Sequence, residues 1–223
     1  MKSIHRAGVV ALAVVLASAA SPAVAQLGQL GRLVPGGSGN SAAAADPDAF
    51  LAETLESTKL MMISAHVLAR AAETDAQRDS MRAEIAAIQN MSSLEEVNAR
   101  QAAFDADLAA ASENFSSAEE AQTAYDNASR QQQELLLSAA FNFSLAMLKN
   151  ARLADQAPGL IQTLGRNPMM LSKIGSVRSA AGLLGKQMQA VRSMGGPLRV
   201  ILSKGGVEAP TEAETTEPRS VPI

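Results

Sequence analysis

The apolar residues between positions 94 and 115 recur in steps of three and four, and this spacing restricts the fold more than any other feature of the chain. Such steps place side chains on one face of an α-helix, whereas a half-buried strand needs strict alternation. The stripe has one polar member and consists of Leu94, Val97, Gln101, Phe104, Leu108, Ala111 and Phe115. It predicts a helix with a single buried seam.

The composition extends this prediction to the rest of the chain. Ala, Leu, Met, Gln, Glu and Arg are abundant, and aromatic residues make up 3% of the 223 residues. These abundant residues lose little conformational freedom in a helix, whereas strands favour branched and aromatic side chains. We therefore expect an all-α fold, a bundle of long helices.

Capping residues mark where several helices begin. Asp46 precedes Pro47, a pair typical of a cap and a first helical position, and the first helix is expected over 47–73. Ser93 and Ser117 each precede a glutamate by three residues, which is the spacing of a capping box. Ala76 to Gln89 forms a second predicted helix, which is either separate from the first or continuous with it.

The longest predicted helix runs from residue 118 to about Asp155, and residues 135–148 within it carry no charge. An uncharged stretch of 14 residues is too short to cross a bilayer, which needs about 20. We therefore expect a buried helix at the centre of the bundle, where Ser138, Asn142 and Ser144 find hydrogen-bond partners. Pro158-Gly159, 165–168 and 195–197 predict breaks that leave shorter helices over 159–164, 168–193 and 198–203.

The two ends differ from the helical part. Residues 1–25 have a basic start, an apolar run and Ala23-Val24-Ala25, which predict a signal peptide cleaved before Gln26 and a periplasmic or secreted protein. Residues 26–45 are rich in Gly and Ser and predict a flexible tether. Residues 207–223 combine glutamates with prolines and predict a disordered acidic tail.

Charge divides the helical domain, residues 46–206, into an acidic bundle (46–155) and a basic, glycine-punctuated helical segment (156–206). Between Asp46 and Asp126 there are 16 acidic and five basic residues, a net charge of −11. Between 156 and 207 there are seven basic residues and no acidic one. This division has two interpretations. In the first, the basic segment neutralises the acidic bundle or is simply solvated. In the second, it binds an anionic lipid surface or an acidic partner protein.

For the binding interpretation, the candidate residues are the basic side chains and the apolar ones beside them. The basic candidates are Lys173, Arg178, Lys186, Arg192, Arg199 and Lys204. The apolar side chains expected to enter the interface are Met169, Met170, Leu171, Ile174, Leu183, Leu184, Met188 and Val191. Nucleic acid is not expected as the partner, because the protein is predicted to be exported and this segment has no aromatic residue for base stacking.

Residues for catalysis and cofactor binding are scarce. The chain has no cysteine, and His66 is its single histidine after residue 25, so no multi-histidine or sulfur metal site is expected and no cofactor is indicated. His66 is interpreted as a partly buried structural residue. No Gly-x-Ser-x-Gly motif suggests a serine hydrolase.

The sequence thus predicts a non-enzymatic, exported interaction protein. The alternative is a purely structural helical protein that forms a homo-oligomer through seams such as Phe104, Leu108 and Phe115.

Overall fold

Helices make up most of the chain in the computed structural model, which describes residues 46–70 and 78–222. These ranges contain eight α-helices, one 3-10 helix and no strand, so the all-α prediction is confirmed. The predicted signal peptide and tether lie outside the described residues, as does the junction 71–77. In chain order the helices are α1 (Pro47–Ala69), α2 (Arg78–Gln89), α3 (Leu94–Ala99), α4 (Gln101–Asn114), α5 (Ala118–Asn127), α6 (Arg130–Gly165), the 3-10 helix Pro168–Met170, α7 (Leu171–Ala190) and α8 (Gly195–Lys204).

The predicted caps begin α1, α3 and α5. The Asp46 carboxylate accepts a hydrogen bond from the amide two residues on at 2.9 Å. The Ser93 and Ser117 hydroxyls accept from the amides of Glu96 and Glu120 at 3.3 and 3.1 Å. Each cap satisfies one of the amide groups that the first helical turn leaves free.

The predicted stripe between positions 94 and 115 forms a seam, although the chain interrupts the helix at Arg100. Every apolar member except Leu94 is buried, and the polar member Gln101 is partly exposed. The turn at Arg100 separates α3 from α4 while keeping both helices on the same core. The apolar spacing therefore predicted the buried face and missed the break.

The longest predicted helix begins where expected, at residue 118, but it is broken in the middle and ends later than predicted. The chain leaves the helix at Ala128, and Ser129 begins α6 with a capping box: the Ser129 hydroxyl accepts from the Gln132 amide, and the Gln132 side chain accepts from the Ser129 amide at 2.9 Å. Helix α6 then continues beyond the predicted end at Asp155 to Gly165. In the two predicted boxes the glutamates instead accept from the amides one residue before the cap, Glu96 from Ser92 at 2.6 Å and Glu120 from Ser116 at 3.1 Å.

Helix α6 also passes through Pro158, where the sequence predicts a break. A proline inside a helix costs about 3 kcal/mol, because it removes one hydrogen bond and crowds the preceding turn. The ring of Pro158 is exposed, while Leu153, Leu160 and Leu164 on either side of it are buried. Burying each of these leucines contributes roughly 1.5–3 kcal/mol, which offsets the cost of the proline.

Two apolar clusters fill the described part of the molecule. The larger cluster takes side chains from α1 to α6, α7 and α8, including Phe143, Leu136 and Leu135 from the uncharged stretch 135–148. The smaller cluster joins the beginning of α1, the second half of α6 and α7, through Phe50, Leu160 and other residues. No helix in the described ranges has the length and apolarity that a bilayer crossing requires.

A polar cluster crosses this apolar interior and joins three helices. The Ser57 hydroxyl of α1 donates to Asn150 Oδ1 of α6 at 2.5 Å, and Asn150 Nδ2 donates to Gln187 Oε1 of α7 at 2.8 Å. Thr58 lies 3.4 Å from Gln187 Nε2. All four residues are buried, so each polar group depends on the others for its hydrogen bonds.

After α8 the chain has no regular secondary structure, yet it contacts α6. The sequence predicts a disordered tail over 207–223, whereas residues 207–222 bring Glu214 to Arg152 and Arg219 to Asn142. Polar groups on α6 supply these contacts, and Val207 and Val221 of the tail pack on the larger apolar cluster.

Replacing Asn150 with alanine is expected to lower the free energy of unfolding by roughly 2–4 kcal/mol, because the buried Ser57 and Gln187 groups lose their partner. Urea unfolding followed by helical circular dichroism measures this loss. Ser144→Ala is the matched control on the same helix, since Ser144 only bonds to the Ala140 carbonyl one turn before it. Equal unfolding midpoints for the two variants would contradict the role assigned to the polar cluster.

Candidate anionic-surface binding face

Helix α7 has one face in the core and the opposite face in solvent. Val177, Ala180 and Leu184 are buried against α1 and α6, and Gln187 belongs to the polar cluster. The solvent side, which we call the α7 outer face, includes the exposed residues Leu171, Gly175, Arg178, Ser179, Gly182, Gly185, Lys186 and Gln189. The 3.6-residue repeat thus lets one helix pack on the bundle and present basic side chains outward.

Two of the six predicted site residues are engaged with the acidic half of the chain. Lys173 Nζ lies 2.5 Å from Asp48 Oδ1 at the beginning of α1, and Lys204 Nζ lies 2.8 Å from Asp126 Oδ1 of α5. Both pairs are partly exposed, so each contributes on the order of 1 kcal/mol or less. These two lysines therefore neutralise the bundle locally, as the first interpretation of the charge division expects.

Three predicted site residues lie together along α7 and the turn that follows it. Arg178, Lys186 and Arg192 are exposed, and none forms an ion pair with another described residue. Arg178 and Lys186 are eight residues apart, which is roughly 12 Å along the helix axis. No acidic residue occurs between 156 and 207 to offset their charge from within the segment.

The sixth predicted residue, Arg199, lies elsewhere. It is exposed on α8, which packs on α5 and α6, and it lines an open cleft of about 350 Å³ that Glu208 also borders. The structure therefore does not place Arg199 on the α7 outer face, and the nearby carboxylate lowers the positive potential around it.

Most of the apolar side chains predicted to enter a binding interface are not available for it. Leu183, Leu184 and Val191 are buried in the core, because they lie on the side of α7 that faces the bundle. Met169 is 90% exposed and Leu171 is 50% exposed. The available apolar surface is thus confined to the corner between α6 and α7.

Arg166 was not among the predicted site residues, but the structure places it at this corner. It ends α6, three residues before Met169, and it is exposed without an ion pair among the described residues. The sequence predicts that the preceding helix ends at residue 164 and shows the charge of Arg166, but it does not show which side chains lie around it.

The glycines of α7 have no packing role inside the described molecule. A Cβ added at Gly175, Gly182 or Gly185 would meet no atom within 4 Å. Glycine in a helix interior costs about 0.8–1.0 kcal/mol relative to alanine. Because these glycines have no side chains, the backbone of α7 is directly accessible on its outer face.

His66 has a partner that its sequence neighbours do not reveal. Its Nδ1 lies 2.9 Å from Asp107 Oδ2 of α4, 41 residues away, and its buried Nε2 has no hydrogen-bond partner among the described residues. The pair connects α1 with α4, and the His66 ring is buried. Among the residues the structure describes, no group of three or more His, Asp or Glu is arranged to hold a metal.

The seam proposed for self-association lies inside the chain. Phe104, Leu108 and Phe115 are buried in the larger cluster, so they offer no surface to a second copy. An oligomer would have to use another surface.

Comparison with known proteins finds no relative of this chain. No family model matches the chain, and no curated protein or solved structure matches it. What is established is an all-α protein with a basic outer helix face.

Replacing Gly182 with alanine is expected to raise the free energy of unfolding by about 0.5–1 kcal/mol, because the new methyl group meets open space and alanine favours the helix. Thermal and urea unfolding measure the gain. Gly205→Ala is the opposite control, since its Cβ would collide with the Leu137 side chain and the substitution is expected to destabilise the protein. A loss of stability in Gly182→Ala would show that the α7 outer face is not free.

Proposed function

We propose that this chain is a non-enzymatic, exported helical protein that associates peripherally with an anionic lipid surface. The contact is made by the α7 outer face, by Arg192 in the turn after it and by the corner that carries Arg166 and Met169. The bundle of α1 to α6 supports this face and takes no direct part in binding.

The observation that carries the proposal is the placement of charge beside exposed apolar surface. Arg178 and Lys186 are exposed on the outer side of α7 without an ion pair among the described residues. The two exposed large apolar residues of the described chain, Met169 and Leu171, lie at the beginning of the same helix. Lipid phosphates attract such side chains with about 1 kcal/mol for each Lys or Arg near the surface. Met169 and Leu171 offer apolar side chains to the acyl boundary.

The exposed corner favours a lipid surface over an acidic protein as the anionic partner. Met169 extends from a 3-10 helix into solvent with no apolar neighbour to cover it. Complete burial of such a side chain contributes roughly 1.5–3 kcal/mol, a gain that a headgroup layer provides without a shaped pocket. Lys173 already neutralises Asp48 beside this corner, which reduces repulsion from anionic lipids.

Export is part of the proposal because residues 1–25 have the pattern of a signal peptide. A periplasmic or secreted location gives the mature chain access to membrane surfaces. It also leaves the protein without nucleic acid as a competing polyanion.

We expect Arg178→Gln/Lys186→Gln to weaken binding to phosphatidylglycerol-containing vesicles roughly 30-fold, since two surface charges contribute about 2 kcal/mol. Vesicle sedimentation of the chain beginning at Gln26 measures the change. Binding to pure phosphatidylcholine vesicles is expected to be weak, and added salt is expected to reduce binding to the anionic vesicles.

Arg82→Gln/Lys204→Gln is the matched control, because it removes the same charge from residues that are already paired and lie outside the α7 outer face. This variant is expected to keep most of its affinity. Equal losses in the two variants would show that net charge, and not the α7 outer face, governs binding. Binding that persists at high salt, or that is absent from all anionic vesicles, would contradict the proposal.

A further inference from the structure

The chain after α8 is attached to α6 through the side-chain amide of Asn142, which forms two hydrogen bonds with backbone groups. Asn142 Nδ2 donates to the Arg219 carbonyl oxygen at 2.8 Å, and the Arg219 amide donates to Asn142 Oδ1 at 2.7 Å. We call residues 207–222 the strap. One side chain thereby pairs with the backbone of an extended segment as a neighbouring strand would.

The remaining contacts of the strap are few. The Arg219 guanidinium lies over the Phe141 ring, 5.8 Å from its centre, and Glu214 forms an ion pair with Arg152. Val221 packs on the larger cluster while remaining partly exposed. Most other strap side chains are exposed, so the strap opens more easily than the helices beneath it.

The strap is much longer than its attachment requires. Gly205 lies against Leu137, and Arg219 lies at Asn142, five residues farther along α6 or roughly 7.5 Å along its axis. The fourteen residues from Gly205 to Arg219 can extend to roughly 46 Å. In the structure the additional residues extend along α6 as far as Arg152, which Glu214 contacts. They also form a turn in which the Thr215 hydroxyl donates to Glu212 at 2.5 Å.

We propose that the Asn142 face of α6 is a second interaction surface, whose partner is the strap of another copy of this chain. We call this face of α6 the seat. It fits the strap of a second copy because the strap of the same chain occupies it within one molecule. The excess length lets an opened strap reach a neighbouring molecule, and Asn142 pairs with backbone groups in the same way in either case. Exchange of straps then links two bundles without disturbing their cores.

Cysteine trapping tests this exchange in the full chain, which contains no cysteine of its own. Phe141→Cys and Arg219→Cys are made separately and carry different tags, because the Arg219 guanidinium lies over the Phe141 ring when the strap is bound. Mixing the two variants at high concentration under mild oxidation is expected to give a disulfide-linked heterodimer. Adding Asn142→Ala to the Phe141→Cys copy is expected to lower its yield roughly tenfold, through loss of the two amide hydrogen bonds.

Two controls make each outcome decisive. Gln189→Cys, exposed on α7, mixed with Arg219→Cys measures disulfides formed by random collision. The double variant Phe141→Cys/Arg219→Cys is expected to form an intrachain disulfide, which shows that the strap occupies its seat. Exchange is overturned if the intrachain bond forms while the mixture gives no more heterodimer than the collision pair. Failure of the intrachain bond overturns the seat itself.

Discussion

The buried hydrogen bonds among Ser57, Asn150 and Gln187 fix how the long helices meet. An interior built from Ala, Leu and Met, with few aromatic side chains, can pack in several registers at similar energy. A buried amide is different, because a shift of one residue would leave its donors and acceptors without partners. The polar cluster therefore selects one arrangement of α1, α6 and α7 from the alternatives that apolar packing allows.

The orientation of α7 follows from this arrangement. With Gln187 directed toward Asn150, Val177 and Leu184 lie inside, and Arg178 and Lys186 lie in solvent. Within this one segment, Lys173 and Lys204 neutralise acidic side chains, while Arg178 and Lys186 on the α7 outer face are exposed to solvent. A contact made by this face would depend mainly on electrostatics, because the corner between α6 and α7 provides little apolar area.

The sequence predicted what depends on neighbouring residues. Asp46, Ser93 and Ser117 begin helices because a cap acts within one turn, and the seam through Phe104 is buried because its spacing matches the helix repeat. Contacts between residues far apart in the chain could not be predicted from the sequence. Asn150 and Gln187 are 37 residues apart, and the helix continues through Pro158 only because α1 and α7 bury the leucines around it.

The site was predictable to the same extent. Charge counting identified the basic segment, but only the orientation of α7 separates Arg178 and Lys186 from the paired Lys173. The same orientation removes Leu183 and Val191 from any interface. Apolar residues on every side of α7 are therefore candidates for an interface when only the sequence is known, because the sequence does not show which side of the helix the bundle covers.

Asn142 connects the apolar helix to the acidic end of the chain. Within an uncharged stretch of α6, the sequence predicted that polar side chains would find partners, and Ser144 does so one turn before it. Asn142 finds its partner in the strap backbone 77 residues later, on a segment whose glutamates and prolines predict disorder. The strap has too little apolar surface to fold alone, so its order depends on groups that α6 already presents. Local composition therefore describes the strap when it is free, and the amide on α6 determines where it lies when it is bound.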